Sequence, residues 1–285
     1  MGKAGARLNF LKSGIFLKVM TKKIPKCLTI AGSDSGGGAG IQADLKTFSA
    51  LGVHGSSVIT AVTAQNTKEV TAVHNIPLDI IEKQIDAVLS DIGADAVKIG
   101  MLSNSEIIIT ISKKLKNYNV KNIVLDPVMV AASGAKLLEN SAIESLKKEL
   151  IPLASIITPN IPEAEVLVNK KIKTIDDVKN AAKEILKLGC RAVLMKGGHL
   201  DINNNQVIDI FYDGKHFIEI KNRKINKTGH GTGCTLSSAI AANIAKGFEL
   251  KEAVKNAVNY VHNALEKGFK VGEMNYVLYH SWKKN

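Results

Sequence analysis

The sequence predicts an α/β fold in which a central, mostly parallel sheet carries helices on both faces. The first observation behind this is a series of short apolar runs of strand length, each followed by a loop. The second is that stretches with the spacing of an amphipathic helix separate most of these runs. Alternating strands and helices favour parallel strands joined by helical crossovers, because such crossovers cover both faces of a sheet.

The elements can be assigned in chain order from apolar spacing and turn residues. The predicted buried strands are Cys27–Ala31, Ser57–Val62, Ala96–Ile99, Asn122–Leu125, Ser155–Thr158 and Ala192–Met195. Helices are predicted over Gly40–Leu51, Asp79–Ser90, Ser105–Lys116, Ser141–Leu150, Ile175–Leu188, Thr232–Lys246 and Glu252–Lys267. The segments Val207–Tyr212 and His216–Ile220 flank Asp213-Gly214, a strong signal for a hairpin turn. No internal repeat or linker interrupts this pattern, so residues 24–285 are expected to form one domain.

Composition limits the classes of protein to which the chain can belong. Of its 285 residues, 45% are hydrophobic, which is enough for a substantial core. No apolar run approaches the roughly 20 residues that span a bilayer, so no membrane partner is expected. The three cysteines are too far apart for a metal-binding or redox pair, and we therefore expect reduced thiols in a cytoplasmic protein.

The net charge of +12 is concentrated at the N-terminus. Residues 1–26 contain seven basic residues and no acidic one, and we predict that residues 1–23 form a basic, disordered extension. A leader of this kind also resembles a transit peptide, or a segment upstream of a true start at Met20. The modest positive excess of the remaining chain suits small anionic substrates, so no nucleic-acid partner is expected. Binding that weakens steeply with salt and disappears on deletion of residues 1–26 would indicate the opposite.

The most informative local pattern is a glycine-rich loop that leads into a helix, GHGTGCTLSSAI at 229–240. Gly229, Gly231 and Gly233 allow several backbone N–H groups to converge, and the first helical turn adds its own N–H groups and the helix dipole. Such a site suits a phosphate group. Cys234 stands where the helix begins, a position that lowers the pKa of a thiol, so an anion site and a candidate base lie within one turn. From these residues alone, the loop is equally a packing turn and Cys234 a small buried residue.

A second glycine-rich loop follows the first predicted strand, between Gly32 and Gly40. Asp44 lies one turn into the next helix, where the dipole favours a carboxylate, or else it is a first-turn charge that faces solvent. The segment lacks both the Gly-Lys-Ser/Thr ending of a Walker loop and the spacing of a dinucleotide fingerprint. We therefore expect this loop to face the substrate. Ligands of open α/β sheets bind beyond the carboxyl ends of the strands, so the two glycine loops can meet at one cleft.

Seven segments, in this order along the chain, resemble one family of enzymes. They are AGSDSGGGAGIQADLKT (31–47), AQNT (64–67), KIGML (98–102), LDPVM (125–129), ITPNIPEA (157–164), MKGGH (195–199) and HGTGCT (230–235). The set resembles the hydroxymethylpyrimidine/phosphomethylpyrimidine kinases of thiamine biosynthesis, members of the ribokinase-like superfamily, over about residues 24–282. The resemblance implies a ribokinase-like three-layer αβα fold and a homodimer. It also implies ATP-dependent phosphorylation of 4-amino-5-hydroxymethyl-2-methylpyrimidine and then of its monophosphate, giving the diphosphate.

The resemblance assigns the catalytic centre to the second glycine loop in the chain. Cys234 matches the residue that activates the substrate hydroxyl for attack on ATP. The anion hole beside it matches Gly231, Thr232 and Gly233. A threonine usually precedes the motif histidine in this family, whereas this chain has Gly229, so the neighbouring Thr228 becomes a candidate phosphate contact. His230 itself is expected to be a structural hydrogen-bonding residue, because no metal-ligand spacing surrounds it.

Four further positions match substrate-binding residues of the family: Gly32, Asp44, Gln65 and Met101. An aminopyrimidine edge offers a hydrogen-bond donor beside an acceptor, and the carboxamide of Gln65 can form hydrogen bonds with both at once. Asp44 would accept from the amino group or from the reacting hydroxyl. Met101 would line the apolar face of the ring, although a methionine there is equally ordinary core.

The nucleotide end of the predicted site carries one ammonium, one carboxamide and two carboxylates. Lys196 ends a buried strand and, with Asn160, is a candidate contact for ATP. Asp126 and Glu163 are candidates for organising Mg²⁺ through water, because magnesium prefers carboxylates and retains water ligands. A requirement for a monovalent cation is left open by the resemblance.

Two other functions remain open on the sequence. Pyridoxal/pyridoxine kinases of the cysteine-bearing branch share much of the pattern, although Gln65 within Ala-Gln-Asn-Thr favours a pyrimidine. A non-catalytic pyrimidine sensor on the same scaffold would bind the ring without turning over ATP.

Overall fold

A nine-stranded sheet forms the centre of the computed structural model, which describes residues 23–130, 134, 137–139, 141–199, 205–274 and 276–283. Its strands are β1 (Lys26–Asp34), β2 (His54–Gln65), β3 (Val70–Asn75), β4 (Ala96–Ile99), β5 (Ile123–Leu125), β6 (Ile156–Ile157), β7 (Val193–Met195), β8 (Gln206–Tyr212) and β9 (Phe217–Arg223). Their order in the sheet is β3-β2-β1-β4-β5-β6-β7-β8-β9. The strands from β2 to β7 in this order are parallel. The pairings β2–β3, β7–β8 and β8–β9 are antiparallel, so β3 and β8 run against the parallel strands and β9 runs with them. Apart from Lys23, the predicted N-terminal extension lies outside the described residues.

Helices alternate with these strands along the chain. They are α1 (Gly40–Ala50), α2 (Leu78–Ala87), α3 (Ser105–Asn117), α4 (Ala142–Ser145), α5 (Ile161–Val168), α6 (Ile175–Leu186), α7 (Thr232–Ala245) and α8 (Leu250–Glu266). The predicted helix over 141–150 is α-helical only in α4 and continues as a π-helical turn over Leu146–Leu150. Within the described ranges, no helix is both long enough and apolar enough to cross a membrane.

The helices cover both faces of the sheet, which confirms the predicted three-layer α/β fold. α1, α7 and α8 pack on one face, and α2 to α6 pack on the other. In β5, Ile123 and Leu125 are buried beneath the second group of helices, and Val124 between them is buried beneath the first. Successive side chains of a strand point to opposite faces, so a strand covered on both sides must be apolar at every position.

Two sets of strands in the fold go beyond the sequence prediction. The edge strand β3 is mostly exposed, and its sequence has neither the apolar run nor the alternation that marks a buried strand. A small sheet pairs β10 (Gly229–His230) with β12 (Tyr276–Val277), which also pairs with β11 (Phe269–Lys270). Strands of two residues are too short for periodicity to reveal. This small sheet ties the start of the second glycine loop to the C-terminal segment.

Candidate active site

A cleft of about 1050 Å³ lies where the parallel strands end. Its wall includes Met101 after β4, Asp126 after β5, Asn160 after β6 and Lys196 after β7. The glycine loop from Gly229 onward forms another wall. Small-molecule pockets usually enclose about 300–1,000 Å³, so this cleft lies at the upper end of that range.

The two glycine loops touch each other at this cleft. Gly231 has a φ of +82°, and a side-chain carbon there would stand 1.9 Å from the carbonyl oxygen of Gly38. A carbon added to Gly38 would stand 2.2 Å from the ring of His230. Only glycine fits at both positions, so the close approach of the loops is built into the sequence.

Asp34 holds the two loops together. Its carboxylate accepts hydrogen bonds from the backbone N–H groups of Gly36, Gly38 and Ala39 at 2.8–3.0 Å. The Nε2 atom of His230 lies 2.8 Å from the same carboxylate. Burial raises the pKa of Asp34, but the hydrogen bonds from His230 and the loop outweigh burial and leave the pKa below its usual value. An ionised Asp34 therefore links residues almost two hundred positions apart.

Cys234 lies in the first turn of α7 and is partly exposed to the cleft, although protein surrounds it on its other sides. Burial raises the pKa of its thiol to about 11; Lys98 opposes the rise, and Asp44 and Asp126 add to it. The predicted lowering of this pKa is therefore wrong. A helix N-terminus and one ammonium group do not compensate for withdrawing the thiolate from water. At neutral pH the thiol is therefore protonated.

Asp44 lies behind the wall of the cleft and is fully buried. One of its oxygens accepts hydrogen bonds from Lys98 Nζ at 2.9 Å and from Thr29 Oγ1 at 2.6 Å, and the other accepts from Ser238 Oγ at 2.6 Å. Thr29 and Lys98 lie opposite each other on the neighbouring strands β1 and β4. Asp44 lies on α1 and Ser238 lies on α7, the two helices that pack over these strands. Both oxygens of Asp44 are therefore engaged within the protein, and its partner Lys98 contributes to the cleft wall.

The Lys98 ammonium is buried together with this carboxylate. Burial alone would lower the pKa of Lys98, but Asp44, followed by Cys234 and Asp126, raises it above its usual value. Lys98 is therefore protonated, and a fixed positive charge stands close to the thiol of Cys234.

The structure brings Gly32, Gln65 and Met101 together on the cleft wall. Gly32 packs against Met101, because an added carbon would lie 2.9 Å from the methionine sulfur. Thr63 Oγ1 lies 3.1 Å from the carboxamide oxygen of Gln65, and the Gln65 nitrogen lies 3.3 Å from His230 Nε2. The end of β2 thus contacts the first residue of the HGTGCT motif.

A largely buried cluster of charged residues lies near the other end of the loop that starts at His230. It consists of Asp126, Glu163 and Lys196. Lys196 Nζ lies 2.8 Å from Asp126 Oδ1 and 3.6 Å from Glu163 Oε2. A carbon added to Gly233 would stand 3.3 Å from the same ammonium, so Lys196 adjoins the start of α7. Burial raises the pKa of Glu163, Lys196 opposes that rise, and Asp126 adds to it.

The remaining predicted residues have structural partners as well. Asn160 and Glu163 form a capping box at the start of α5, in which each side chain accepts the other's backbone N–H at 2.8 Å. Thr232 is the first residue of α7, and the exposed Thr228 lines the cleft. A carbon added to Gly229 would lie 2.5 Å from the side chain of Leu265, so a threonine here would require that side chain to move.

Sequence reasoning missed several parts of the cleft. It assigned no role to Asp34 or Lys98, although a lysine in the middle of the apolar strand β4 signals a buried partner. It also missed an apolar lobe beyond the glycine loop. That lobe is formed by Val207 from β8, Leu236 from α7, and Val258, Val261 and Leu265 from α8.

Gly231→Ala is expected to force the two glycine loops apart and to lower turnover at least about a hundredfold, since small displacements of a reacting group have effects of that size. Gly247→Ala is the matched control: Gly247 has a φ of +89°, but an added carbon meets no atom within 4 Å. Steady-state turnover and thermal unfolding of both variants are the measurements. Equal losses of turnover in the two variants would show that backbone strain, and not the contact between the loops, is responsible.

Comparison with known proteins places these features in context. Residues 34–278 match the family model for phosphomethylpyrimidine kinase. The hydroxymethylpyrimidine/phosphomethylpyrimidine kinase of Bacillus subtilis is 47% identical over 250 residues, which cover 87% of this chain and 92% of that protein. The crystal structure of phosphomethylpyrimidine kinase from Clostridium difficile is 54% identical, with a TM-score of 0.75, and the match covers 84% of this chain and 98% of that one.

A pyridoxal kinase is also similar to this chain. The structure of an ADP complex of Bacillus subtilis pyridoxal kinase has a TM-score of 0.85 at 38% identity, and the match covers 92% of this chain and 99% of that one. Of these two structures, the pyrimidine kinase is closer in sequence, and the pyridoxal kinase superposes more completely.

Proposed function

Since the chain belongs to the phosphomethylpyrimidine kinase family, we propose that it transfers the γ-phosphoryl group of ATP to the hydroxyl of 4-amino-5-hydroxymethyl-2-methylpyrimidine. In a second reaction it phosphorylates the resulting monophosphate to the diphosphate. One observation carries this proposal: the loop from His230 to Cys234 contacts Gln65 at its start and adjoins Lys196 near its end. A pyrimidine beside Gln65 and a triphosphate beside Lys196 would therefore meet at Cys234.

The pyrimidine would lie between Gln65 and Met101. The carboxamide offers a donor and an acceptor to the aminopyrimidine edge, and the largely buried methionine offers an apolar contact to the ring face. Gly32 supports this arrangement, because any side chain there would displace the Met101 sulfur.

The phosphates of ATP would lie against the N-terminus of α7. The backbone N–H groups of Gly231, Thr232 and Gly233 and the positive end of the helix dipole attract an anion there. Lys196 adds a positive charge next to this helix terminus, and Asn160 and Thr228 also line the cleft. These groups stabilise the charge that spreads over the transferred phosphoryl oxygens.

Asp126 and Glu163 are the residues that would hold Mg²⁺. Among the described residues, no group of three metal-ligating side chains occurs, so this chain offers no complete cage. The donor set suits magnesium, which is commonly bound by one or two carboxylates together with water and substrate phosphates. When bound, the ion would neutralise phosphate charge; the residues themselves keep Lys196 within 4 Å of both carboxylates.

Cys234 would position the substrate hydroxyl in line with the γ-phosphoryl group. Its thiol has a pKa raised to about 11, so in the ligand-free cleft it is not a ready general base. Phosphoryl transfer makes little demand on proton abstraction, because its loose transition state leaves most of catalysis to positioning and charge stabilisation. Lys98 would then stabilise any negative charge that develops on the hydroxyl oxygen or the sulfur.

The apolar lobe would take the adenine ring of ATP. Its branched side chains lie on β8, α7 and α8, beyond the glycine loop, and they offer a flat base an apolar site.

The pyridoxal kinase alternative has the higher TM-score in its favour, but the lower sequence identity makes it the second candidate. A thiol that must remain reduced favours a cytoplasmic location, and the family resemblance favours a homodimer.

An ADP-release assay with three acceptors tests the proposed function. Hydroxymethylpyrimidine and its monophosphate should both be turned over, with kcat/KM at least about tenfold above that for pyridoxal. Gln65→Ala should raise KM for the pyrimidine about 10–100-fold while leaving KM for ATP unchanged, because the site then lacks the carboxamide that hydrogen-bonds to the ring edge. Gln206→Ala, which removes an exposed glutamine outside the cleft, is the control. Preference for pyridoxal, or pyrimidine binding without ADP release, would overturn the proposal in favour of the corresponding alternative.

A further inference from the structure

Asp209 is a buried carboxylate on the cleft wall for which the family resemblance supplied no role. It lies in β8 and is only 9% exposed. Its Oδ1 accepts a hydrogen bond from the backbone N–H of Gly197 at 2.8 Å. Burial raises the pKa of Asp209 to about 6, and this hydrogen bond and the charge of Lys196 oppose the rise. The group is therefore mostly ionised at neutral pH, at an energetic cost that a further hydrogen-bond donor would relieve.

The second carboxylate oxygen has no such donor from the part of the chain that the structure describes. Since Asp209 contributes to the cleft wall, this oxygen is available to a ligand. A carboxylate oxygen accepts hydrogen bonds and repels phosphate, so the part of a nucleotide that meets it is a hydrogen-bond donor and not a phosphate group.

The position of Asp209 identifies which part of a ligand that donor belongs to. Ile210 pairs with Met195 at the end of β7, so Asp209 lies beside the turn that carries Lys196. Val207, two residues away on the same face of β8, belongs to the apolar lobe. Asp209 thus lies between the Lys196 ammonium, which is proposed to contact the phosphates, and the apolar lobe, which is proposed to bind adenine.

We propose that Asp209 accepts a hydrogen bond from a ribose hydroxyl of the bound nucleotide. The ribose connects base and phosphates, and its 2′- and 3′-hydroxyls are the donors in that part of ATP. The second oxygen of Asp209 would accept from one of them while the first keeps Gly197 in place. This inference rests on the proposed function, because it requires ATP in this cleft.

The test compares ADP with 2′-deoxy-ADP and 3′-deoxy-ADP by calorimetric titration, alongside turnover with the corresponding triphosphates. At least one deoxynucleotide should bind the unmodified protein about tenfold more weakly than ADP, since a buried carboxylate oxygen then loses its donor. In Asp209→Asn, this difference should shrink to about twofold or less. The asparagine carbonyl oxygen still accepts from Gly197 N–H, so the turn and the fold are retained. Asp213→Asn, in the exposed turn of the same hairpin, should discriminate as the unmodified protein does.

Two results would overturn the inference. One is equal binding of ADP and both deoxynucleotides to the unmodified protein. The other is a tenfold difference that persists in Asp209→Asn, which would leave Asp209 a structural support of Gly197 alone. Failure of the proposed function is distinguishable from both, because it would remove ATP turnover in the unmodified protein altogether.

Discussion

Cys234→Ala is expected to lower kcat about 10²–10⁴-fold, the range typical of a positioned group that handles the reacting proton or hydroxyl. The residue lies where the two glycine loops meet, at the start of α7, and Lys98 and Asp126 contribute to the potential at its sulfur. Removing the sulfur leaves the carboxamide of Gln65 and the ammonium of Lys196 in place. Pyrimidine binding, measured by calorimetry, should therefore persist while ADP release is lost.

Comparison with a second cysteine separates catalysis from packing. Cys190→Ala removes a thiol that is buried away from the cleft, so its effect on kcat should be small. Cys234→Ser keeps a hydrogen-bonding group at the site and should retain more activity than Cys234→Ala, because positioning rather than thiolate formation is the proposed task. Near-normal turnover in Cys234→Ala would remove the residue from the mechanism.

The parts of the fold that the sequence predicts are those governed by local pattern. The strand β4 is predicted with its observed bounds, since Ala96, Val97 and Ile99 mark a short, mostly apolar segment between turns. The helices α1 and α7 are predicted to within a few residues of their ends, because glycine loops mark where each begins. The strand β3 has neither signal, and only its pairing with β2 stabilises it as a strand.

The predicted site differs from the observed one where long-range burial decides the chemistry. A position near the start of a helix favours a lowered pKa for Cys234, but the sequence does not reveal how completely the protein surrounds the thiol. Asp44 is predicted to contact the substrate, and the sequence does not reveal that three protein donors already engage its two oxygens. That network requires β1 beside β4 and α1 beside α7, an arrangement that local pattern does not specify.

Asp44→Asn is expected to lower the free energy of unfolding by about 3–5 kcal/mol, the usual effect of breaking a buried ion pair by removing one partner. The change leaves the Lys98 ammonium buried without a carboxylate, and Thr29 and Ser238 lose a charged acceptor. Urea denaturation measures the effect. Asp79→Asn is the matched control, because it breaks a pair with Lys83 of similar length, 3.0 Å, that is exposed to solvent. Such exposed pairs contribute little, so its unfolding curve should hardly move.

A second substitution decides between the two roles of Asp44. If the carboxylate serves to hold Lys98, then Lys98→Met in the Asp44→Asn background should recover part of the lost stability, because no unpaired charge remains buried. If Asp44 instead contacts the pyrimidine, Asp44→Asn should raise KM for the pyrimidine at unchanged stability, and the second substitution should recover nothing. The fully buried position of both side chains and the 2.9 Å contact between them favour the first outcome. On that outcome Asp44 acts in catalysis only by fixing the positive charge of Lys98 next to Cys234.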